Sequence, residues 1–167
     1  KISSGESISL NTVKKITEIS NKPIFVSTGM SYENEIDNIY RFLKKKNPFL
    51  LMHCVSKYPT KYNEIGINII EKFKRKYRCP IGFSDHSGTV EVPLTALSLG
   101  INAIEIHVVF DKKIYNPDSS SSITFDQLKQ IRNFVNTRQI LLETKIEKNQ
   151  ITKKLKKNRK LFSKSFA

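Results

Sequence analysis

Short apolar runs alternate along the chain with longer segments in which apolar residues recur every three or four positions. The runs are rich in β-branched and aromatic residues and are too short for globular helices, which predicts β-strands at 23–27, 49–55, 80–83 and 103–110. The segments with helical spacing predict helices at 13–19, 32–46, 65–77, 92–99 and 125–142. The longest of them is predicted to bury one apolar side, formed by Leu128, Ile131, Val135 and Leu142.

A regular alternation of strands and helices predicts parallel strands joined by right-handed crossovers, either as a doubly wound sheet or as a (β/α)8 barrel. No G-x-G-x-x-G sequence follows a predicted strand, which argues against a dinucleotide-binding fold. In a barrel, chemistry gathers at the carboxyl ends of the strands, and the only three histidines of the chain, His53, His86 and His107, all lie there. A complete barrel needs about 250 residues. Four strands therefore predict a partial barrel.

The net charge of +14 raises the alternative of a basic nucleic-acid-binding module. Nine of the basic residues fall within 145–164, against a single acid, but Phe162 is the one aromatic residue among them, whereas a stacking surface would require several that interleave. A solvated basic face is the better interpretation.

Cys54 and Cys79 are isolated, which indicates reduced, small buried side chains and a cytoplasmic protein. No apolar run approaches the roughly 20 residues that span a membrane, so no membrane partner is expected.

Six segments together resemble consecutive motifs of the N-acetylneuraminate (sialic acid) synthases, a family that includes the legionaminate and pseudaminate synthases. They are KISSGE (1–6), PIFVSTGM (23–30), LLMHCVSKYP (50–59), IGFSDHSGTVEVP (81–93), AIEIHVVFDKKIYNPDSSSS (103–122) and NRKLFSKS (158–165). The resemblance implies an α/β fold that forms part of a (β/α)8 TIM barrel, namely barrel strands five to eight with the end of strand four at residue 1. Residues 1–144 would form the C-terminal half of the catalytic domain. Residues 145–167 would be a basic linker toward an antifreeze-like domain of a homodimeric protein.

The resemblance also implies a reaction, in which phosphoenolpyruvate condenses with an N-acetylated hexose, N-acetylmannosamine or a related sugar, to give a sialic-acid-type nonulosonate and phosphate. His86 and His107 match divalent-metal ligands, with Mn²⁺ expected first and Mg²⁺ or Co²⁺ as alternatives. Asp118 matches an acidic residue that contacts the sugar hydroxyls and is expected to be catalytic, and Tyr58 matches a substrate-side tyrosine. The residues that match or replace phosphoenolpyruvate contacts are Lys1, Ser4, Ser27, Ser56 and Ser84. Taken alone, such serines are turn or cap residues and a strand-end histidine is a hydrogen-bonded core residue.

Three further polar residues lie beside these positions. Glu105 is predicted to point the same way as His107 and to orient it. Asp85 is predicted either to orient His86 or to have a structural role at the barrel rim, and His53 either to line the mouth or to lie in the core. Two residues depart from the family pattern, since Ser56 replaces an asparagine and Asn116 replaces a glycine, and these departures leave the identity of the hexose open.

A second function class is a barrel fragment without activity. The chain opens inside a family motif and without a methionine, and the other catalytic groups of the family lie upstream of the matched segments. Half a barrel also exposes two sheet edges. We therefore expect the isolated 167-residue chain to be inactive and poorly soluble.

Overall fold

The computed structural model describes residues 1–149 and 151–163, and it is built around one sheet of five parallel strands. Each strand pairs with the strand that precedes it in the chain, and the pairing is parallel throughout. A doubly wound sheet reverses its strand order at a switch point, whereas consecutive order is that of a (β/α)8 barrel. The strands are β1 (Ile24–Ser27), β2 (Phe49–Cys54), β3 (Ile81–Asp85), β4 (Ala103–Val109) and β5 (Ser122–Thr124).

Helices connect the strands and follow the sheet. They are α1 (Ser4–Ser7), α2 (Leu10–Ile19), α3 (Glu33–Leu43), α4 (Asn68–Lys76), α5 (Glu91–Ser98), α6 (Phe125–Glu143) and α7 (Lys153–Phe162). The four predicted strands and five predicted helices are confirmed within a few residues at their ends. Three elements were not predicted, because α1 and β5 are short and rich in serine and α7 holds few apolar residues. Lys164 and Ser165, the last two residues of the NRKLFSKS motif, lie outside the described residues.

The first residues of the chain lie alongside β1 as the end of a further parallel strand. The Ile2 amide donates to the Phe25 carbonyl over 2.8 Å, and the Ser27 amide donates to the Ile2 carbonyl over 3.1 Å. The Ile2 side chain is buried. Ile2 therefore lies where a further parallel strand would pair with β1, which is the position predicted for the end of barrel strand four.

The two faces of the sheet have different chemistry because successive side chains of a strand point to opposite sides. One face packs against the helices and carries the apolar core, which includes Val26, Leu51, Ile81 and Phe83. On the opposite, inner face, register places Cys54 beside Ser84 and Ser84 beside Glu105, and His107 follows two residues later on β4. The polar candidates therefore share the inner face.

The buried side predicted for the longest helix is only partly correct. Ile131 of α6 is 3% exposed and packs with Leu97 and Ile123, and Leu128 lies against this small cluster. Val135 is 38% exposed and Leu142 is 64% exposed. The cluster engages only the first half of α6, which at 1.5 Å per residue is too long for so few partners to cover.

The chain divides between residues 135 and 136 into two units, Lys1–Val135 and a second that begins at Asn136. The second unit contains α7, a basic helix inside the predicted linker. The predicted domain boundary between residues 144 and 145 stays a prediction. Among the described residues, no helix has both the length and the apolar character required to cross a membrane.

His53 is a core residue, which decides between its two predicted roles. It lies on the helix-facing side of β2, and its ring contacts Phe73 and Phe83. Its Nε2 donates to the Ile65 carbonyl over 2.7 Å, because a carbonyl can only accept. Burial lowers the pKa of His53 below its ordinary value of 6.5, although the Ile65 and Gly66 carbonyls oppose the shift.

We expect the stability that His53 confers to fall on acidification. The folded state holds the neutral ring and the unfolded state protonates near pH 6.5, so the contribution is complete above that pH. It is lost as the pH falls from 6.5 through the lower pKa of the folded state. The midpoint of thermal unfolding should therefore fall more between about pH 7.5 and pH 5.5 in the wild type than in His53→Gln, which cannot protonate. Equal losses in the two proteins would contradict this role.

Candidate functional site

An ion pair joins the first residue of the chain to β4 on the inner face. The Lys1 Nζ donates to both carboxylate oxygens of Glu105, over 2.8 and 2.6 Å. The Ser84 hydroxyl donates to the same carboxylate over 3.1 Å. Burial raises the pKa of Glu105, but Lys1 and Ser84 outweigh that effect and leave the pKa below its ordinary value. The site therefore holds an ionised carboxylate, an ammonium group and a hydroxyl in direct contact.

His86 follows β3, and the residue just after β2 fixes its orientation. Its Nδ1 donates to the Val55 carbonyl over 2.7 Å, which assigns the proton to Nδ1 and leaves the lone pair on Nε2. Nε2 lies 3.5 Å from the Ser84 hydroxyl oxygen. Burial lowers the pKa of His86, although the Val55 carbonyl opposes the shift. The result is a neutral imidazole with its lone pair on the nitrogen that faces Ser84.

The second histidine lies close to the first, with Tyr58 and Asp118 beside it. The ring centroids of His86 and His107 are 5.3 Å apart. The Tyr58 ring lies 4.2 Å from that of His86 and 5.9 Å from that of His107. Nδ1 of His107 lies 3.7 Å from a carboxylate oxygen of Asp118, within ion-pair range but beyond a hydrogen bond. One aromatic ring and one carboxylate therefore flank the pair of imidazoles.

The two histidines fit an open metal site. A carbonyl fixes the tautomer of His86 and leaves Nε2 as the donor, an arrangement that orients metal-ligating histidines. Among the described residues, no group of three or more His, Cys, Asp or Glu side chains is arranged to hold an ion. A closed structural site with four protein ligands does not fit this donor set. The donor set does fit an ion that is bound by two imidazoles and whose remaining coordination positions are filled by substrate or water.

A second group of polar side chains surrounds Gly29, just beyond β1. The Gly29 amide donates to the Ser4 hydroxyl over 3.1 Å, and that hydroxyl lies 3.0 Å from the Cys54 sulfur. A methyl group built on Gly29 would lie 2.6 Å from Cys54 Sγ, 2.6 Å from Ser56 Oγ and 2.9 Å from Ser4 Oγ. The absence of a side chain at Gly29 therefore leaves a small cradle lined by two hydroxyls and a thiol.

Ser27 ends β1 and has a buried hydroxyl without a partner, a feature that it shares with Ser121 within the described residues. Ser27 is 2% exposed, and its Oγ finds no hydrogen-bond partner among the described residues. An unpaired buried hydroxyl costs free energy unless a ligand or water satisfies it. This unsatisfied donor is consistent with the predicted contact to a bound anion.

The structure brings most of the predicted residues together. Lys1, Ser84, His86, Tyr58, His107 and Asp118 form one connected set, and Ser4 and Ser56 meet at Gly29. Two predicted partnerships differ. Glu105 does share the inner face with His107, but its described hydrogen bonds go to Lys1 and Ser84. Asp85 accepts hydrogen bonds from the amide and hydroxyl of Ser87, so its contacts are those of the structural alternative.

Three features of the site were not predicted. The close packing of side chains against Gly29 had a signal in the sequence, since a glycine near the end of a buried strand often marks a place where other groups approach the backbone. The Val55 carbonyl had none, because a backbone acceptor carries no sequence signature. The Lys1–Glu105 pair also had none, because its members are 104 positions apart.

Comparison with known proteins identifies the family. The model of the NeuB family matches residues 1–147. Campylobacter jejuni N,N'-diacetyllegionaminic acid synthase is 34% identical over 135 residues, which cover 78% of this chain and 40% of the relative. Pseudaminic acid synthase of the same organism is 35% identical over 160 residues, which cover 90% of this chain and 46% of the relative. The chain thus spans less than half the length of these two synthases.

A solved structure supports the same assignment. The N-acetylneuraminic acid (sialic acid) synthetase of Leptospira borgpetersenii, crystallised with citrate, superposes with a TM-score of 0.80 at 29% identity. The match covers 96% of this chain and 55% of that protein. The fold prediction, an α/β chain that forms part of a TIM barrel, is confirmed by this likeness. The family match, which covers the whole of the first unit, agrees with the shared fold, and the chain belongs to the NeuB family.

Proposed function

We propose that the chain forms the C-terminal half of the barrel of a nonulosonate synthase, which condenses phosphoenolpyruvate with an N-acetylated hexose and releases phosphate. The observation that carries the proposal is the inner face, where a lysine, four serines and two imidazoles converge at the carboxyl ends of the strands. The relatives are named as synthases of legionaminic, pseudaminic and sialic acids. The class of product follows from them, and the choice among the three hexoses stays open.

The phosphoenolpyruvate subsite is proposed to consist of Lys1, Ser4, Ser27, Ser56 and Ser84. Phosphoenolpyruvate carries a phosphate and a carboxylate, and such anions are held by ammonium, hydroxyl and backbone N–H donors. The free hydroxyl of Ser27 supports this assignment. Lys1 has three donors and engages Glu105, so a bound anion would share the ammonium group with that carboxylate.

His86 and His107 are proposed to hold a divalent cation, Mn²⁺ in the first instance, with Mg²⁺ and Co²⁺ as alternatives. When bound, the ion would supply a Lewis acid that polarises the aldehyde of the open-chain hexose. Tyr58 packs on the ring of His86 and limits its movement. Asp118, beside His107 and half-exposed, is proposed to contribute to catalysis by accepting hydrogen bonds from the hexose hydroxyls.

The isolated chain is proposed to be inactive. The described sheet ends on one side at the single bridge made by Ile2 and on the other at the three-residue strand β5, and open edges leave backbone groups unpaired. The family relatives are also more than twice as long as the matched region. A homodimeric full-length protein in the cytoplasm is part of the proposal, and the two unpaired thiols of Cys54 and Cys79 support a reducing compartment.

A phosphate-release assay tests the function. The protein encoded by the whole reading frame that contains this chain, called the full-length protein below, is incubated with Mn²⁺, phosphoenolpyruvate and each candidate N-acetyl hexose. We expect phosphate release with one of the hexoses, loss of release on chelation with EDTA, and recovery when Mn²⁺ is restored. The absence of release with every hexose would refute the proposed reaction, and release that persists in EDTA would refute the metal.

A further inference from the structure

The loop that carries Asp118 follows β4 and is largely exposed. Phe110, Ile114 and Tyr115 are 86%, 59% and 97% exposed, so its large side chains do not anchor it to the core. Local hydrogen bonds shape its end: the Asn116 side chain accepts from the Asp118 amide over 2.9 Å, and the Ser122 hydroxyl donates to the Asp118 carbonyl over 2.7 Å. These bonds define the turn around Asp118. Ser122 also pairs with His107 across β4 and β5, which ties the end of the turn to that histidine.

Contacts to the turn after β3 add a second attachment, to the segment that follows His86. The Lys112 Nζ donates to the Gly88 carbonyl over 2.7 Å, which joins the start of the loop to the segment just after His86. Near the other end of the loop, the Ser120 carbonyl approaches Gly88 so closely that a methyl group built there would lie 2.4 Å from its oxygen. Gly88 has a positive φ of 68°, a conformation that a side chain would strain. The start of the loop therefore hydrogen-bonds to Gly88, and its other end lies close against the same residue.

We infer that Lys112 and Gly88 are positioning residues, which hold the loop of Asp118 against the turn of His86 and so place its carboxylate beside His107 for binding of the hexose. The inference rests on the proposed function and extends it to two residues that do not themselves touch the reacting atoms. Replacement of Asn116 or Ser122 would alter the turn itself. Loss of the Lys112 contact would instead loosen the start of the loop from the turn after β3, and it would leave the hydrogen bonds within the turn and the pairing with His107 intact.

Lys112→Met tests the inference, because it removes the donor and keeps a similar chain length. In the full-length protein we expect kcat/KM for the hexose to fall about tenfold, the magnitude typical of losing a partner that orients a ligating group, while KM for phosphoenolpyruvate stays unchanged. Lys112→Arg can still donate to the Gly88 carbonyl and should restore most of the loss. Lys113→Met is the matched control, since the Lys113 side chain makes no hydrogen bond within the described part of the chain.

Two further measurements separate this role from a purely structural one and from failure of the proposed reaction. In an Asp118→Asn background, Lys112→Met should have little additional effect, because the lysine acts through that carboxylate. Amide hydrogen exchange in residues 110–121 should quicken in Lys112→Met and stay at the wild-type rate in Lys113→Met, whether or not the protein turns over. Unchanged exchange would overturn the attachment. Faster exchange with an unchanged kcat/KM for the hexose, or equal losses for both substrates, would overturn the positioning role. If the full-length protein releases no phosphate, the proposed reaction is refuted, and the role of Lys112 in hexose binding is refuted with it. Amide hydrogen exchange would still test the attachment of the loop.

Discussion

His86→Ala and His107→Ala should each weaken Mn²⁺ binding by at least about a hundredfold, because loss of even an outer partner of a metal ligand commonly costs 10- to 100-fold in affinity. The two rings lie 5.3 Å apart, and each would supply one of only two protein donors. Their loss should therefore leave a single imidazole. Free Mn²⁺ measured by electron paramagnetic resonance during titration of the full-length protein gives the affinity without any need for turnover.

His53→Gln is the control for that experiment, because it removes the third histidine of the chain from the opposite face of the sheet. It should bind Mn²⁺ like the wild type. Unaltered Mn²⁺ affinity in both His86→Ala and His107→Ala would remove the metal assignment. A loss that His53→Gln shares would instead point to a general effect on folding.

Gly29→Ala should lower the affinity for phosphoenolpyruvate by about a hundredfold, a loss comparable to that of misplacing a bound group by about 1 Å. The added methyl group would lie 2.6 Å from Ser56 Oγ and 2.9 Å from Ser4 Oγ, so both hydroxyls must turn away from the cradle. The backbone of Gly29 does not have a positive φ, so the substitution acts through space and not through strain. Isothermal titration of the full-length protein with phosphoenolpyruvate measures the change.

Gly5→Ala is the matched control, because a methyl group there would approach no atom closer than 4.0 Å, the distance to Met30 Sδ. It introduces the same atoms into the neighbouring helix α1 and should leave the affinity unchanged. Equal affinities in Gly29→Ala and the wild type would show that the cradle does not hold the substrate. Mn²⁺ binding by Gly29→Ala should stay intact. A general loss of stability would not explain a loss of phosphoenolpyruvate binding with intact Mn²⁺ binding.

The strands and their polar ends could be predicted because both depend on local patterns. Runs of β-branched residues predicted β1 to β4, and parallel strands must present their carboxyl ends at one edge, which placed His86 and His107 together. The alternation along β4 also predicted that Glu105 and His107 share a face. What alternation does not provide is the partner across the sheet, so the contact of Glu105 with Lys1 could not be anticipated.

Other features could not be predicted from the sequence, and the reasons are also physical. The apolar spacing of α6 continues to Leu142, but burial requires a partner surface, and the cluster around Ile123 reaches only the first half of the helix. His53 and Cys54 are adjacent in a fully buried strand, so hydrophobicity alone could not say which of them faces the helices. The attachment of the Asp118 loop depends on a carbonyl of Gly88, which no side-chain pattern reveals.

The consecutive strand order has a consequence for how the chain reaches this structure. Every strand of the sheet hydrogen-bonds to the strand made just before it, with one helix or loop between them. Pairing with the preceding strand closes the shortest loop that a parallel arrangement allows, which limits the entropic cost of each closure. During synthesis, each newly emerged unit can therefore add to an edge that is already formed. The orientation of the His86 imidazole therefore requires only the pairing of β2 with β3 and none of the later strands.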